Sequence, residues 1–425
     1  MSSSWRSIVF LLVVSRAPGL SAVKISNATS DNGMSFNTRS AIEWAAGGYL
    51  NAERAHAANS TRILLVTTAN TGYLTMLLSW MCRSRELGLK FTIHAQDLKL
   101  FRTLSAQSSE TNSFVGGFST FYEPWLSGTG DFQSFGGKQY IHSTLLKAHI
   151  VRLILEQFAG QFHVWLSDPD VAFFFDPIPW FAYGSQCDLQ FQINEKLGQN
   201  GLQRILAGDP FNSGAGGNSG FVLWRGTALS IKVAAAVSEE CTRASSLAKA
   251  MYSGDQAATW HVINAIRRGD RETQLGLRLP VIKTKTHLEM ADWRNNLFFD
   301  TQDLGILSTE NPNESSFHLC PLPMLTHPSG SYFKSDVYSR AVKAAGIEIS
   351  KLKEMVNLSR EVHPPGVVIA HANFIQGSRL KRLALIRLAA RSWALSKDWK
   401  EPPAGTGLNW PEQPCRGVAE GGVPL

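Results

Sequence analysis

The stretch from His163 to Phe181 reads HVWLSDPDVAFFFDPIPWF. Val164, Trp165 and Leu166 form the continuous apolar run of a strand buried on both faces, and apolar character resumes at Phe173 and Phe174. Between the runs stand two carboxylates, Asp168 and Asp170. Like charges at that spacing repel, and apolar flanks remove the water that would screen them. Such a pair is tolerated beside a cation, a proton or hydrogen-bond donors. Alternate side chains of an extended segment point the same way, so both carboxylates can reach one ion. Oxygen ligands on a turn suit a hard divalent cation such as Mn²⁺ or Mg²⁺, which keeps open positions for phosphate oxygens. A plain polar turn capped by Asp168 is the alternative. An aspartyl-phosphatase site also places Asp-x-Asp after an apolar strand. It wants Thr or Val where Ala172 stands, and the later "GDQAAT" does not complete it.

Working outward, "RILLVTTAN" (62–70) reads as a buried strand, and Leu74, Leu77, Leu78 and Met81 have helical spacing up to a stop at Gly88. "KFTIHAQD" is a second strand ending at Asp97. Strand, helix and strand at this spacing make a βαβ unit with a right-handed crossover. From Phe101 to Gly137 the pattern weakens into a Gly- and Ser-rich loop. A helix then carries Leu146, Ile150, Leu153, Ile154 and Phe158 on one face up to Gly160. The Asp-Pro-Asp turn thus follows the carboxyl end of a strand, where ligands bind in open α/β sheets. "DLQFQ" and "GFVLWR" read as strands, "SIKVAAAVSEECTRAS" and "SGDQAATWHVINAIRRG" as helices. The region from about Leu277 to Pro365 is less periodic. "VVIAHANFIQG" closes a last strand, and a basic amphipathic helix follows. "GAGGNSG" (214–220) precedes a strand rather than a helix, so it is not a phosphate loop; it reads as a mobile loop or lid.

The chain has 425 residues, 44% of them apolar and 18% charged, which is globular composition. A net charge of +7, spread along the chain, slightly favours an anionic substrate and gives no argument for nucleic acid. At the N-terminus Arg6, the apolar run Ile8–Val14 and the small residues Ser21 and Ala22 fit a secretory signal over 1–22. A buried N-terminal strand is the alternative. Sequons at Asn27, Asn59, Asn313 and Asn357 agree with the secretory reading. The five cysteines lack metal-type spacing and leave room for one or two disulfides, with at least one thiol over. An N-terminal stem segment over 23–58, a main α/β domain over 59–400 and a loose Gly/Pro-rich tail over 401–425 complete the expected organisation.

Several strings together carry a resemblance. "VWLSDPDVAFFFDP", "TTANTGYLTMLLSW", the strand end at Asp97, Lys147 before the Asp-Pro-Asp strand, "GNSGFVLWR", "SGDQAATWHVIN", "LPMLTHPSGSYF" and "HANFIQGSRLKRLALIRLAARSW" occur in the family's order. The chain, from about Arg62 to Trp393, resembles the plant-type nucleotide-diphospho-sugar transferases, which include rhamnogalacturonan xylosyltransferases and extensin arabinosyltransferases. That resemblance implies an α/β, GT-A-like, Rossmann-type, mostly parallel sheet with helices on both faces. It also implies a UDP-sugar donor, Mn²⁺ (or Mg²⁺) dependence, and transfer of a pentose or hexose to an acceptor hydroxyl with retained anomeric configuration. The acceptor would be a glycan, glycoprotein or polysaccharide. The setting would be the secretory pathway, the Golgi lumen or export, with at most peripheral membrane contact. Pro169 and the Gly-rich stretch 214–220 depart from the family pattern. A non-catalytic carbohydrate-binding protein on a degenerate scaffold is the rival reading.

Asp168 and Asp170, with His371 as the resemblance implies, are the expected metal ligands. Asp255 and Gln256 are the candidates near the anomeric carbon or the acceptor, Asp255 serving equally well as a helix cap. For the donor, the candidates are Thr68, Asn70, Asp97, Lys147, Asn218, Gly220, Gly377 and Lys381. Thr68, Asn70 and Asp97 also suit strand-to-helix caps, and Lys147 suits either a snorkelling role or balance of the carboxylates.

Overall fold

A computed structural model describes residues 34–47, 62–107, 118–132, 137–158, 160–173, 177, 187–193, 217–246, 254–274, 276–280, 317, 319–322, 327 and 369–372. The expected signal and tail, the sequons, and the basic helix with Gly377 and Lys381 lie outside these residues.

In chain order the elements are α1 (Phe36–Gly47), β1 (Arg62–Ala69), α2 (Leu74–Glu86), β2 (Phe91–Ala95), α3 (Leu98–Gln107), β3 (Phe118–Phe121) and α4 (Lys138–Gln157). There follow β4 (Phe162–Ser167), β5 (Val171–Phe173), β6 (Leu189–Ile193), β7 (Gly217–Trp224), α5 (Ala228–Ser246), α6 (Asp255–Arg268), β8 (Leu319–Pro321) and β9 (Ile369–His371). Seven strands form one sheet in the order β3-β2-β1-β4-β7-β6-β8, and β5 pairs with β9 in a small second sheet. The pairings β1–β2, β1–β4, β2–β3 and β6–β8 are parallel, while β7 runs antiparallel to both β4 and β6. The expected mostly parallel α/β sheet is present.

Alternation along the central strands divides the core in two. Leu64 and Val66, Val164 and Leu166, and Val222 and Trp224 face one layer, with Ile42 of α1, Ile150 and Ile154 of α4, Val233 and Val237 of α5, and Ile263 of α6. Ile63 and Leu65, Trp165, and Phe221 and Leu223 face the other, against Leu77 and Trp80 of α2 and Leu100 and Leu104 of α3. Helices therefore cover both faces, which is why β1 and β4 read as unbroken apolar runs. The helices expected from the spacing of Leu74–Met81 and Leu146–Phe158 both form, and these side chains are buried.

Three segments differ from the sequence reading. The stretch 101–137, expected as loop, begins inside α3 and contains β3, the parallel edge strand beside β2. The helix was obscured because few apolar residues seat it. Its start was nonetheless encoded: Asp97 accepts the Leu100 N–H at 2.9 Å. Secondly, residues 217–220 of the Gly-rich stretch are buried strand, not lid. A Cβ at Gly217 would run into the rings of Phe191 and Trp260, whose indole N–H donates to the Gly217 carbonyl. Glycine there serves close approach. Thirdly, α1 falls within the segment expected as a stem, yet Ile42, Ala45 and Ala46 are fully buried, and Ser119 donates to the Ala41 carbonyl at 2.6 Å.

Burial also sets the acid response of the fold. Desolvation lowers His94 to about 3, and desolvation, then neighbouring cations, lower His149 and His163 to about 4. Folded, these rings stay neutral where the unfolded chain, with an ordinary value near 6.5, takes up protons. Their contribution is complete above about 6.5 and is lost as pH falls through their folded values. Asp255, raised by burial, works in the opposite sense, one group against three. The melting temperature should fall steadily between about pH 6.5 and 4, with each ring contributing at most about 1.4 kcal/mol per pH unit. Scanning calorimetry across that interval measures it, and a flat profile contradicts the assignment.

Candidate active site

The tip of β4 is fastened from several sides. The Asp168 N–H donates to the Gly220 carbonyl of β7 at 2.7 Å, and the Val171 N–H closes the turn onto the Asp168 carbonyl at 3.1 Å. From α2, the Trp80 indole donates to Ser167 Oγ at 3.0 Å, and Arg83 Nε donates to the Phe173 carbonyl at 2.7 Å. β5 then pairs antiparallel with β9, setting Val171 opposite His371, and the Ala372 N–H reaches the Asp170 carbonyl at 3.0 Å. This register brings a histidine 201 positions away beside the turn.

His371 Nε2 lies 3.1 Å from Asp170 Oδ1 and 3.8 Å from Asp168 Oδ2. One potential ligand atom from each of the three residues falls within 4.8 Å of the others. Two carboxylate oxygens and an imidazole nitrogen form a donor set suited to Mn²⁺ or Mg²⁺. Space for the cluster depends on Gly220: a Cβ there would collide with His371 Cε1 and Asp168 Oδ2. Asn218 Oδ1 accepts the Gly220 N–H at 2.6 Å and so holds that backbone in place. The residues present fit a divalent ion.

On the helical side, Lys147 of α4 points its ammonium at both Asp168 oxygens, 2.7 Å from Oδ1 and 2.9 Å from Oδ2, and lies 3.9 Å from Asp255 Oδ2. Burial opposes its charge. Asp168, Asp255 and Tyr140 outweigh that penalty and hold the ammonium above its ordinary range. Of the two roles open to Lys147, charge balance is the observed one. Asp255 opens α6; burial raises its carboxyl, Lys147 lowers it and Asp168 raises it further. The capping position itself is Gly254. Gln256 Oε1 faces the Ser219 N–H at 3.4 Å. Lys147, Ser219 and Asp255 share the wall of a cavity whose remainder, including Val151, Val222 and Val237, is largely apolar. The structure thus gathers Asp168, Asp170, His371, Lys147, Asn218, Gly220, Asp255 and Gln256.

The other expected donor residues are more committed. Thr68 Oγ1 meets His94 Nδ1 at 2.9 Å and accepts from Gln96 Nε2 at 3.1 Å, inside a buried network. Asp97 accepts from the Thr71 N–H, the Thr71 hydroxyl and the Leu100 N–H, which is the capping alternative. Asn70 donates to the Asp131 carbonyl at 2.9 Å, while its Oδ1 is buried without a hydrogen-bond partner among the described residues.

Two tyrosines went unnoticed in the sequence. Burial and then the charge of Asp170 push the Tyr73 phenol above its ordinary range. Tyr140 is raised by burial, with Lys147 opposing and Asp255, Asp168 and Asp170 adding. Tyr73 packs its ring 4.8 Å from Phe132. The available cue was spacing: Tyr140 stands two helical turns before Lys147 on the same face of α4.

Lys147 neutralises buried carboxylates, so Lys147→Met should destabilise the fold by about 3–5 kcal/mol at neutral pH. Millimolar Mn²⁺ should restore part of the loss by binding the folded form. Urea unfolding with and without the ion checks both statements.

Residues 112–292 match the family model described as nucleotide-diphospho-sugar transferase. Over 125 residues the chain is 30% identical to the beta-arabinofuranosyltransferase RAY1 of Arabidopsis thaliana. The match covers 29% of this chain and 21% of that protein. Among solved structures, the galactosyltransferase LgtC in complex with donor and acceptor sugar analogues aligns with 77% of this chain and 96% of its own, at 11% identity and a TM-score of 0.40. The glycosyltransferase GlyE of Streptococcus pneumoniae TIGR4 aligns with 78% of this chain and 62% of its own, at 12% identity and a TM-score of 0.36. The matched stretch 112–292 contains both turn carboxylates, Lys147, the Gly220 strand and the start of α6, so the likeness to nucleotide-diphospho-sugar transferases takes in most of the site, with His371 beyond it.

Proposed function

We propose that this chain is a metal-dependent glycosyltransferase that moves a pentose or hexose from a UDP-sugar to an acceptor hydroxyl with retained anomeric configuration. The observation that carries the reading is the convergence of Asp168, Asp170 and His371 beside a buried lysine at a strand tip. The likeness to the nucleotide-diphospho-sugar transferase model over residues 112–292 supports that donor class. A divalent ion bound by the triad would supply positive charge to the donor diphosphate and stabilise it as a leaving group. Lys147 holds Asp168 in place and adds a second positive charge on the same side. Asp255 is engaged by Lys147 and hydrogen-bonded to Ser219, which suits orienting a sugar hydroxyl better than attacking carbon. Gln256 beside it is uncharged, and the departing phosphate is then the base nearest the incoming hydroxyl. Among the described residues no carboxylate beside Lys147 is left uncompensated to act as a nucleophile, which is compatible with the front-face, retaining transfer that we propose.

Asp168 is clasped through both oxygens by Lys147, an environment that weakens a carboxylate as a phosphate acceptor and disfavours the phosphatase alternative. Cys82 and Cys187 are disulfide-bonded and Cys241 is a free buried thiol. Together with the N-terminal signal pattern, these bonded cysteines support an oxidising secretory compartment, and we place the chemistry in the Golgi lumen. The acceptor would be a glycan, glycoprotein or polysaccharide.

A panel of UDP-sugars assayed for donor hydrolysis with and without Mn²⁺ tests the reading. At least one donor should be consumed only with the ion, and Asp170→Ala should reduce that rate about 100-fold or more. Metal-independent turnover, or full activity in the variant, contradicts the mechanism. Silence with every donor favours a carbohydrate-binding protein instead, and release of inorganic phosphate from a phosphomonoester favours the phosphatase.

A further inference from the structure

Gln192 of β6 is wholly buried, and both ends of its amide are engaged. Its Nε2 donates to the His327 carbonyl at 2.9 Å. A carbonyl only accepts, so the amide nitrogen must face His327 and the oxygen must face the other way. That oxygen lies 3.1 Å from His371 Nδ1. An amide oxygen carries lone pairs alone, so Nδ1 must hold the hydrogen of this contact. In neutral imidazole Nε2 then presents its lone pair, and it is Nε2 that faces Asp170 and Asp168. We propose that Gln192 is a positioning residue that fixes the tautomer and ring orientation of His371 for a cation held with Asp168 and Asp170. The proposal rests on the metal site read above.

Strand geometry supports the assignment. Between β6 and β7 the register jumps from Phe191 opposite Val222 to Gln192 opposite Asn218, so that β7 carries Ser219, Gly220 and Phe221 between two consecutive pairs. Bulges of this kind re-aim side chains and backbone next to sites. Here the bulge swings Gly220 onto the imidazole, whose Cε1 would meet any Cβ at that position. The ring is thereby clamped, with Gly220 against Cε1 and Gln192 at Nδ1. Burying an amide demands that both ends find partners, and an apolar side chain of similar volume would fill the same space without that demand. The polar choice at 192 is therefore explained by what it does to His371.

Mn²⁺ titration of the full chain, followed by calorimetry and by the paramagnetic resonance of free Mn²⁺, tests this without reference to turnover. Circular dichroism and melting curves report on the fold. Wild type should bind the ion. The near-isosteric Gln192→Met should fold and bind about 10–100-fold more weakly. Gln192→Glu, which keeps an oxygen acceptor against Nδ1–H, should bind within about threefold of wild type. If wild type binds no Mn²⁺, the metal site itself fails and the role of Gln192 falls with it. Wild-type affinity in Gln192→Met, or affinity in Gln192→Glu as weak as in Gln192→Met, overturns the role of Gln192 alone. Should Gln192→Met not fold, Gln192→Glu decides on its own: retained affinity supports the role, and a loss beyond about tenfold overturns it.

Discussion

Asp168 is held between the ammonium of Lys147 and the imidazole of His371 at the end of β4, and the surrounding architecture answers to that charge. A carboxylate at the tip of a largely buried strand has lost most of its water and must be compensated locally. Lys147 provides compensation from the helical layer on one face. Asp170 sits one step further along the turn, and His371 arrives from the small sheet on the other side. Each partner comes from a different element, so the site exists only when both core layers are assembled.

The change of strand direction in the sheet makes this possible. β1 and β4 run parallel and end on the same side, while β7 returns antiparallel next to β4. The start of β7 therefore lies beside the end of β4. This juxtaposition delivers the Gly220 carbonyl to the Asp168 N–H and places Asn218 and Ser219 against the start of α6. The irregular pairing between β6 and β7 is part of the same arrangement, because a regular ladder would keep Gly220 in line with β6 and away from the triad.

Much of this was legible in the primary structure. Unbroken apolar runs at Ile63–Val66 and Val164–Leu166 could only be strands covered on both faces, and helical spacing in α2 and α4 supplied the cover. The paired carboxylates after such a run already called for a cation, a proton or hydrogen-bond donors. Less legible were α3 and β3, which bury few side chains and so leave a faint period. Gly217 and Gly220 were read as flexibility because composition alone does not distinguish a mobile glycine from one pressed against a ring. Thr68 and Asp97 were placed correctly at strand ends, yet their hydrogen bonds are spent on His94, Gln96, Thr71 and Leu100. Tyr73 carried no pattern of its own, and Tyr140 only its helical spacing from Lys147.

Local order along the chain was enough to establish the central strands, most of the helices that cover them and a charged turn in need of compensation, since burial period and turn chemistry act over a few residues. Pairing across long separations was not accessible in the same way. Whether Lys147 meets Asp168 or solvent, and which atom of His371 faces the carboxylates, depends on sheet order, strand register and one bulge. Those are cooperative outcomes of packing, and a contact such as Gln192 with His371, 179 positions apart, acquires meaning only once both strands are in place.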